Sequence, residues 1–282
     1  MIHIRQLDPE ATLREDSSLI APLWLALFDH HVASGAAGMR TKPREGSWPQ
    51  RREHYCLTIG GSPHASLWVA YDEDRPVGYA LSFEDALGGS AAGEDSRVEV
   101  LETLSLLPET RGRGLGSELV GLVEEEARAR GIQRVAIDVM GGNDGALRFY
   151  ARAGYAPHSK TWMRSEHPEP GLVGSAVRDP GDVAAAEAVF APIGVTLSTT
   201  GRSDDTWVTA PSVAMLDVDP PQLAADFDAW LPAFLRGIEV LAEAGYWTLW
   251  VEAPEGAGAD LLGAELLARG FSHGMSRVLK EL

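Results

Sequence analysis

The stretch Arg111-Gly112-Arg113-Gly114-Leu115-Gly116-Ser117 decides the reading of this chain because of what flanks it. An apolar run from Val98 to Leu107 leads into it through Pro108. Apolar Leu115, Leu119, Leu122, Val123 and Ala127 leave it at helical spacing, with Glu118, Glu124, Glu125 and Arg128 between them. A strand, a glycine-rich turn and a helix N-terminus make an anion site. Glycine lets the backbone approach a phosphate, the first-turn N–H groups point outward, and the helix dipole favours negative charge. Two phosphate-binding patterns fail here. A nucleotide P-loop needs a lysine that does not follow Gly116, and a dinucleotide fingerprint counted from Gly112 meets Ser117 where its last glycine belongs. The spacing that fits is R-x-x-G-x-G, at Arg111, Gly114 and Gly116.

A second element follows in the same order and at a fixed separation. Val135-Ala136-Ile137-Asp138-Val139 has a buried-strand pattern, and Asn143-Asp144-Gly145-Ala146-Leu147-Arg148-Phe149-Tyr150-Ala151-Arg152-Ala153-Gly154-Tyr155 comes after it. With the glycine loop, this N-x-x-A-x-x-F-Y-x-x-x-G-Y pattern resembles the GNAT superfamily of acyl-CoA-dependent N-acyltransferases. The resemblance is sharpest from Val98 to Arg164. It implies an α/β (α+β) fold, a mixed central sheet flanked by helices, with acetyl-CoA as co-substrate. It also implies that the diphosphate rests on the backbone N–H groups of Gly112, Arg113, Gly114, Leu115, Gly116 and Ser117. Pantetheine would pair like an added strand with Leu104, Ser105 and Leu106, and Arg111 or Arg113 would add phosphate contact.

Acyl transfer requires an amine to lose a proton, a thioester oxygen to be stabilised and a thiolate to be protonated. By resemblance Tyr150 is the general acid, a phenol protonated at neutral pH, and Asn143 bonds the cofactor or an ordered water. The same Asn143 reads equally as a helix N-cap. Glu102 is the expected base in preference to Glu99. Even steps along a strand place it on the face of Leu104 and Leu106, where an apolar cleft would raise its pKa. The Leu106 N–H is the expected oxyanion donor. His30 and His31, ending an early helix, are candidate acceptor-pocket residues.

Composition narrows the classes. Over 282 residues the net charge is −17, running from −7 in residues 1–170 to −10 in 171–282. So acidic a chain repels phosphate backbones and anionic lipid, which argues against nucleic acid and membrane partners; it suits a cationic small-molecule amine. No signal peptide or long apolar run is visible, so a cytoplasmic protein is expected. Cys56 is the sole cysteine and the eight histidines lack paired spacing, so no metal site is expected. A homodimer is allowed.

Length predicts two domains, 1–166 and 172–282, joined by a linker at His167–Gly171. In the first, a strand is expected at Ile2–Gln6, a helix capped by Ser17 or Ser18 and running from Leu19 to Val32, a loop at Gly35–Ser47, a short helix at Pro49–Ile59, and a hairpin over Leu67–Phe83. An acidic loop follows at Asp85–Ser96. The second domain reads as a degenerate, truncated copy of the first. The glycine pairs Gly131/Gly154 and Gly245/Gly270 bracket a strand and helix at similar spacing, but Pro220-Pro221-Gln222 replaces the glycine loop and Leu266 stands where Tyr150 would. The expected reaction is direct acetyl transfer to a primary amine; the alternative is a non-catalytic acyl-CoA-binding regulatory module.

Overall fold

The structure is a computed structural model that describes residues 1–15, 18–34, 43–86, 97–165, 183–200, 213–219 and 226–282. The first half contains strand β1 (Ile2–Leu7), helices α1 (Pro9–Glu15), α2 (Ala21–Ala33) and α3 (Arg44–Gly61), and strands β2 (Ala65–Asp72), β3 (Arg75–Ala86) and β4 (Arg97–Leu106). It continues with α4 (Leu115–Ala129), β5 (Arg134–Met140), α5 (Asp144–Arg152) and β6 (Ala156–Ser165). The second half contains α6 (Ala184–Phe190), β7 (Val195–Thr200), β8 (Val213–Val218), α7 (Phe227–Glu243), β9 (Thr248–Pro254), α8 (Ala257–Ala268) and β10 (Ser272–Glu281).

Several expected boundaries move. Helix α1 was not anticipated. Helix α2 begins after Ile20 with no side-chain cap, so Ser18 does not start it, and Ser17 lies outside the described residues. Arg44–Ser47 are helical rather than loop. Pro43 in extended conformation ends the preceding segment, and Pro49 sits within α3, where its missing N–H removes one helical bond. The linker 167–171, Pro220–Gln222 and most of the acidic loop lie outside the described residues.

Among the described residues, ten strands form one sheet in the order β1-β2-β3-β4-β5-β10-β6-β9-β8-β7. Strand β10, from the second half, lies between β5 and β6, antiparallel to both. Strand β6, from the first half, runs antiparallel to β9 of the second. The exchange extends to the cores. Val278 of β10 is buried with the α4 side chains Leu115, Leu119 and Val123, while Trp162 of β6 is buried with Phe234, Leu262 and Leu266 of α7 and α8. Gly263 permits the latter contact, because a Cβ there would lie 2.7 Å from the Trp162 ring.

Around the β6–β10 pair the halves mirror one another. In each, an antiparallel pair (β3–β4, β7–β8) is followed by a helix, a strand parallel to the second member (β5, β9), another helix and the exchanged strand. The helix ends coincide as well. Tyr155 N–H bonds Tyr150 O at 3.0 Å and Phe271 N–H bonds Leu266 O at 3.1 Å, each across a glycine of positive φ.

Candidate active site

Strands β4 and β5 pair in parallel only at Glu99↔Val135 and Val100↔Ala136, although both run on well beyond. Past these residues they part and leave a wedge in the middle of the sheet. The equivalent strands of the second half, β8 and β9, stay paired from Val213↔Thr248 to Asp217↔Glu252. Backbone direction at the wedge follows from one bond: Leu107 N–H donates to Val77 O on β3 at 2.9 Å. Alternate residues of a strand aim their backbone groups to the same side, so Ser105 faces β3 while Leu104 and Leu106 face the wedge. Leu106 O accepts from Arg111 Nε at 3.2 Å. The Leu106 side chain leans over Gly78, where a Cβ would lie 2.3 Å from it.

The wedge opens onto the glycine loop. Gly112 (φ 74°) and Gly114 (φ 87°) hold the left-handed conformation that brings the chain round to α4 without side-chain strain. Gly114 is the α4 N-cap and makes no side-chain cap bond, so the first-turn N–H groups remain available to an anion. Gly116 lies against Phe149 and Leu106, where a Cβ would stand 3.4 Å from the Phe149 ring. Arg113 and Ser117 are exposed and Leu115 is buried. The residues present therefore fit a ligand with a diphosphate on the α4 N-terminus and a narrow arm in the wedge. The start of α7 differs, because Asp226 accepts from Ala229 N–H at 3.2 Å and places a carboxylate where an anion would go.

Tyr150 lies on the α4–α5 face of the sheet, packed at 5.0 Å from Phe149 and 5.6 Å from Tyr155 by ring centroids. Burial pushes its phenol pKa well up, so it holds its proton at neutral pH. Asn143 caps α5 by accepting from Ala146 N–H at 3.2 Å, and its side chain acts to raise the His30 pKa. His30 and His31, at the end of α2, therefore stand beside Asn143 and Arg111. Burial first, then Arg111, lowers the His30 pKa. Burial, helped by His30, Arg51 and Arg111, takes His31 down to about 3.

Glu102 is not where strand alternation puts it. Leu81 pairs with Thr103 and Ser82 with Leu101, so Glu102 is the extra residue of a β-bulge. The bulge shifts the alternation by one. Glu99 turns to the α4 side with Leu101, Leu104 and Leu106, whereas Glu102 joins Thr103 and Ser105 on the α2–α3 side. There its carboxylate accepts from Arg51 Nη2 and contacts His54 Nε2 at 3.1 Å. The expected rise in its pKa is corrected. Burial acts upward, but Arg51 and His54 outweigh it and hold the carboxyl below its usual value. Glu99 is fully buried and paired with Arg130, and its pKa is raised by that burial.

Sequence reasoning did not single out Arg51, His54 or Tyr55. Arg51 stacks over Trp24 at 4.9 Å and Tyr55 at 4.6 Å and donates to Thr103 Oγ1 at 3.2 Å. Tyr55 Oη lies 2.6 Å from Thr103 Oγ1 and 3.0 Å from Tyr79 Oη. Their spacing on α3 was the available signal, since residues three and four apart share a helix face.

Residues 29–155 match the model of the acetyltransferase (GNAT) family. Over these residues the chain is similar to a GNAT acetyltransferase domain. Acetyltransferases of this family draw their acetyl group from acetyl-CoA, in keeping with the fit of wedge and loop. An acetyltransferase of Agrobacterium fabrum is 37% identical over 73 residues, 26% of this chain and 52% of that protein. Mycothiol acetyltransferase of Rhodococcus jostii is 25% identical over 150 residues, 52% of this chain and 48% of its own length. The chain thus spans about half the length of the curated relatives it matches. Among solved structures, the GCN5-related glucosamine N-acetyltransferase region of a fungal multi-domain GH3 β-N-acetylglucosaminidase shares the fold. It aligns with 99% of this chain and 38% of its own, at 11% identity and a TM-score of 0.57. Among the described residues no helix is long and apolar enough to cross a membrane, and no three His, Cys, Asp or Glu side chains gather as a metal site.

Proposed function

We propose that this GNAT domain transfers acetyl from acetyl-CoA to a primary amine of a small molecule, by direct attack within a ternary complex. The observation that carries the reading is the placement of opposed proton-handling groups on the two faces of the β4–β5 wedge. Tyr150 lies on the α4–α5 face, and the Glu102–His54 pair lies on the α2–α3 face. An amine entering from the α2–α3 side would meet the thioester in the wedge. The C–N bond forms as the C–S bond breaks, the departing sulfur takes the Tyr150 proton, and the amine's proton passes to the Glu102–His54 pair. The wedge-facing N–H of Leu106 is placed to stabilise the thioester oxygen as it gains charge. Phosphate contacts come from the α4 N-terminus, with Arg111 and Arg113 adjacent. Asn143 fixes the start of α5, and His30 and His31 line the acceptor side.

The second half, residues 172–282, is read as a degenerate copy of the first, residues 1–166. The mirrored topology and the matching helix ends support this. Among the described residues, closed β8–β9 pairing, the Asp226 cap and Leu266 at the place of Tyr150 give that copy no wedge, anion site or acid of the kind seen in the first half.

The test is CoA release from acetyl-CoA across polyamines, arylalkylamines and amino sugars, beside calorimetry of acetyl-CoA binding. Binding with turnover of an amine supports the reading. Binding without turnover of any amine favours a regulatory acyl-CoA-binding module instead.

A further inference from the structure

We propose that His54 is the general base of this site and that Glu102 positions it. This rests on the acetyltransferase reading above and assigns a role within it. Glu102 itself is a poor proton acceptor, because one carboxylate oxygen already meets both Arg51 Nη2 and His54 Nε2. The guanidinium keeps that carboxylate ionised and weakly basic. The Arg51–Glu102 pair is also packed on several sides. Arg51 is clasped between Trp24 and Tyr55 and bonded to Thr103, and its side chain is 9% exposed. A fixed carboxylate of this kind orients an imidazole. Nε2–H donates to Glu102, which leaves the lone pair on Nδ1.

That second nitrogen is the open end of the chain of contacts. Among the described residues Nδ1 of His54 has no hydrogen-bond partner, and the side chain is 40% exposed. It stands on the α2–α3 face, across the sheet from Tyr150, as base and acid must in a transfer through the wedge. An amine's proton can therefore pass to Nδ1, directly or through one water, while the carboxylate stabilises the imidazolium that forms.

The experiment compares the wild type with His54→Ala, Glu102→Gln and Tyr150→Phe in acetyl-CoA turnover against spermidine, tyramine and glucosamine. Each protein's affinity for acetyl-CoA is measured by calorimetry. His54→Ala should lose about 10²-fold or more in kcat/KM while keeping acetyl-CoA affinity within about threefold, and added imidazole should restore much of the loss. Imidazole should rescue neither Tyr150→Phe nor Glu102→Gln, the latter losing roughly tenfold through a misoriented ring. The proposal is overturned if His54→Ala turns over at wild-type rates, if its loss is accompanied by lost acetyl-CoA binding, or if imidazole leaves it inactive. A wild type that binds acetyl-CoA but acetylates none of the amines sinks the acetyltransferase reading, and this assignment with it. An active wild type with an equally active His54→Ala sinks the assignment alone.

Discussion

Lys280 Nζ stands 2.8 Å from each carboxylate oxygen of Glu124, joining the exchanged strand β10 to helix α4. Tyr155 Oη donates to the same carboxylate at 3.1 Å and Arg128 at 3.3 Å, so a side chain only 7% exposed has its negative charge shared among three donors. Removing one partner leaves a charge in poor surroundings, whereas removing both is tolerated better. Lys280→Met should cost about 2–4 kcal/mol in urea unfolding, and Lys280→Met combined with Glu124→Gln less than the sum of the single costs. Strictly additive losses would show that the two side chains are not coupled.

Tyr150→Phe removes a hydroxyl for which no hydrogen bond exists among the described residues, while its ring contacts stay in place. Thermal stability should therefore hardly change, and kcat should fall by about 10²–10⁴-fold at constant acetyl-CoA affinity. Equal losses in kcat and affinity would mark the tyrosine as structural.

Parts of this site were legible in the sequence because their signals are local. Glycines at fixed offsets between a strand and a helix announce an anion loop, and Asn143 and Tyr150 sit on one short helix whose ends the sequence marks. Glu102 was misplaced because a single extra residue, opposite the Leu81–Ser82 step, inverts the alternation that places every side chain after it. Arg51 and His54 went unread since their partner lies about fifty positions along the chain, beyond any periodicity. The strand exchange was hidden for a related reason. β6 and β10 have similar patterns, and nothing within either strand says which helix layer it will lie against.

Gly114→Ala probes the loop without a steric clash, since a Cβ there meets nothing within 4 Å. The cost is conformational: an L-residue held at φ 87° loses about 1–2 kcal/mol. If the fold absorbs that strain, the melting temperature drops by a few degrees. If the loop relaxes, acetyl-CoA affinity falls instead, by roughly tenfold. Unchanged stability and unchanged affinity together would remove the glycine from the phosphate site.

His31 carries a pH signature of its own. Burial takes its pKa from the ordinary imidazole value of 6.5 down to about 3 in the folded protein, so the unfolded chain takes up a proton there that the native state refuses. Stability from this group is fully present above pH 6.5 and is lost as pH falls toward 3. Between these limits the loss is about 1.4 kcal/mol per pH unit. Urea titrations from pH 7 to 5 should show a shallower slope for His31→Gln; an identical slope would mean that the imidazole is charged in the fold.

The position of β10 governs how the protein is made as well as what it looks like. Every residue assigned to catalysis or acetyl-CoA precedes position 166, yet one wall of the sheet that holds them is synthesised more than a hundred residues later. Contacts as remote as Arg277 with Asp138 must find each other after most of the chain has emerged. Acetyltransferase competence should thus appear late during translation, and a protease cut before Ser272 should silence a site it never touches.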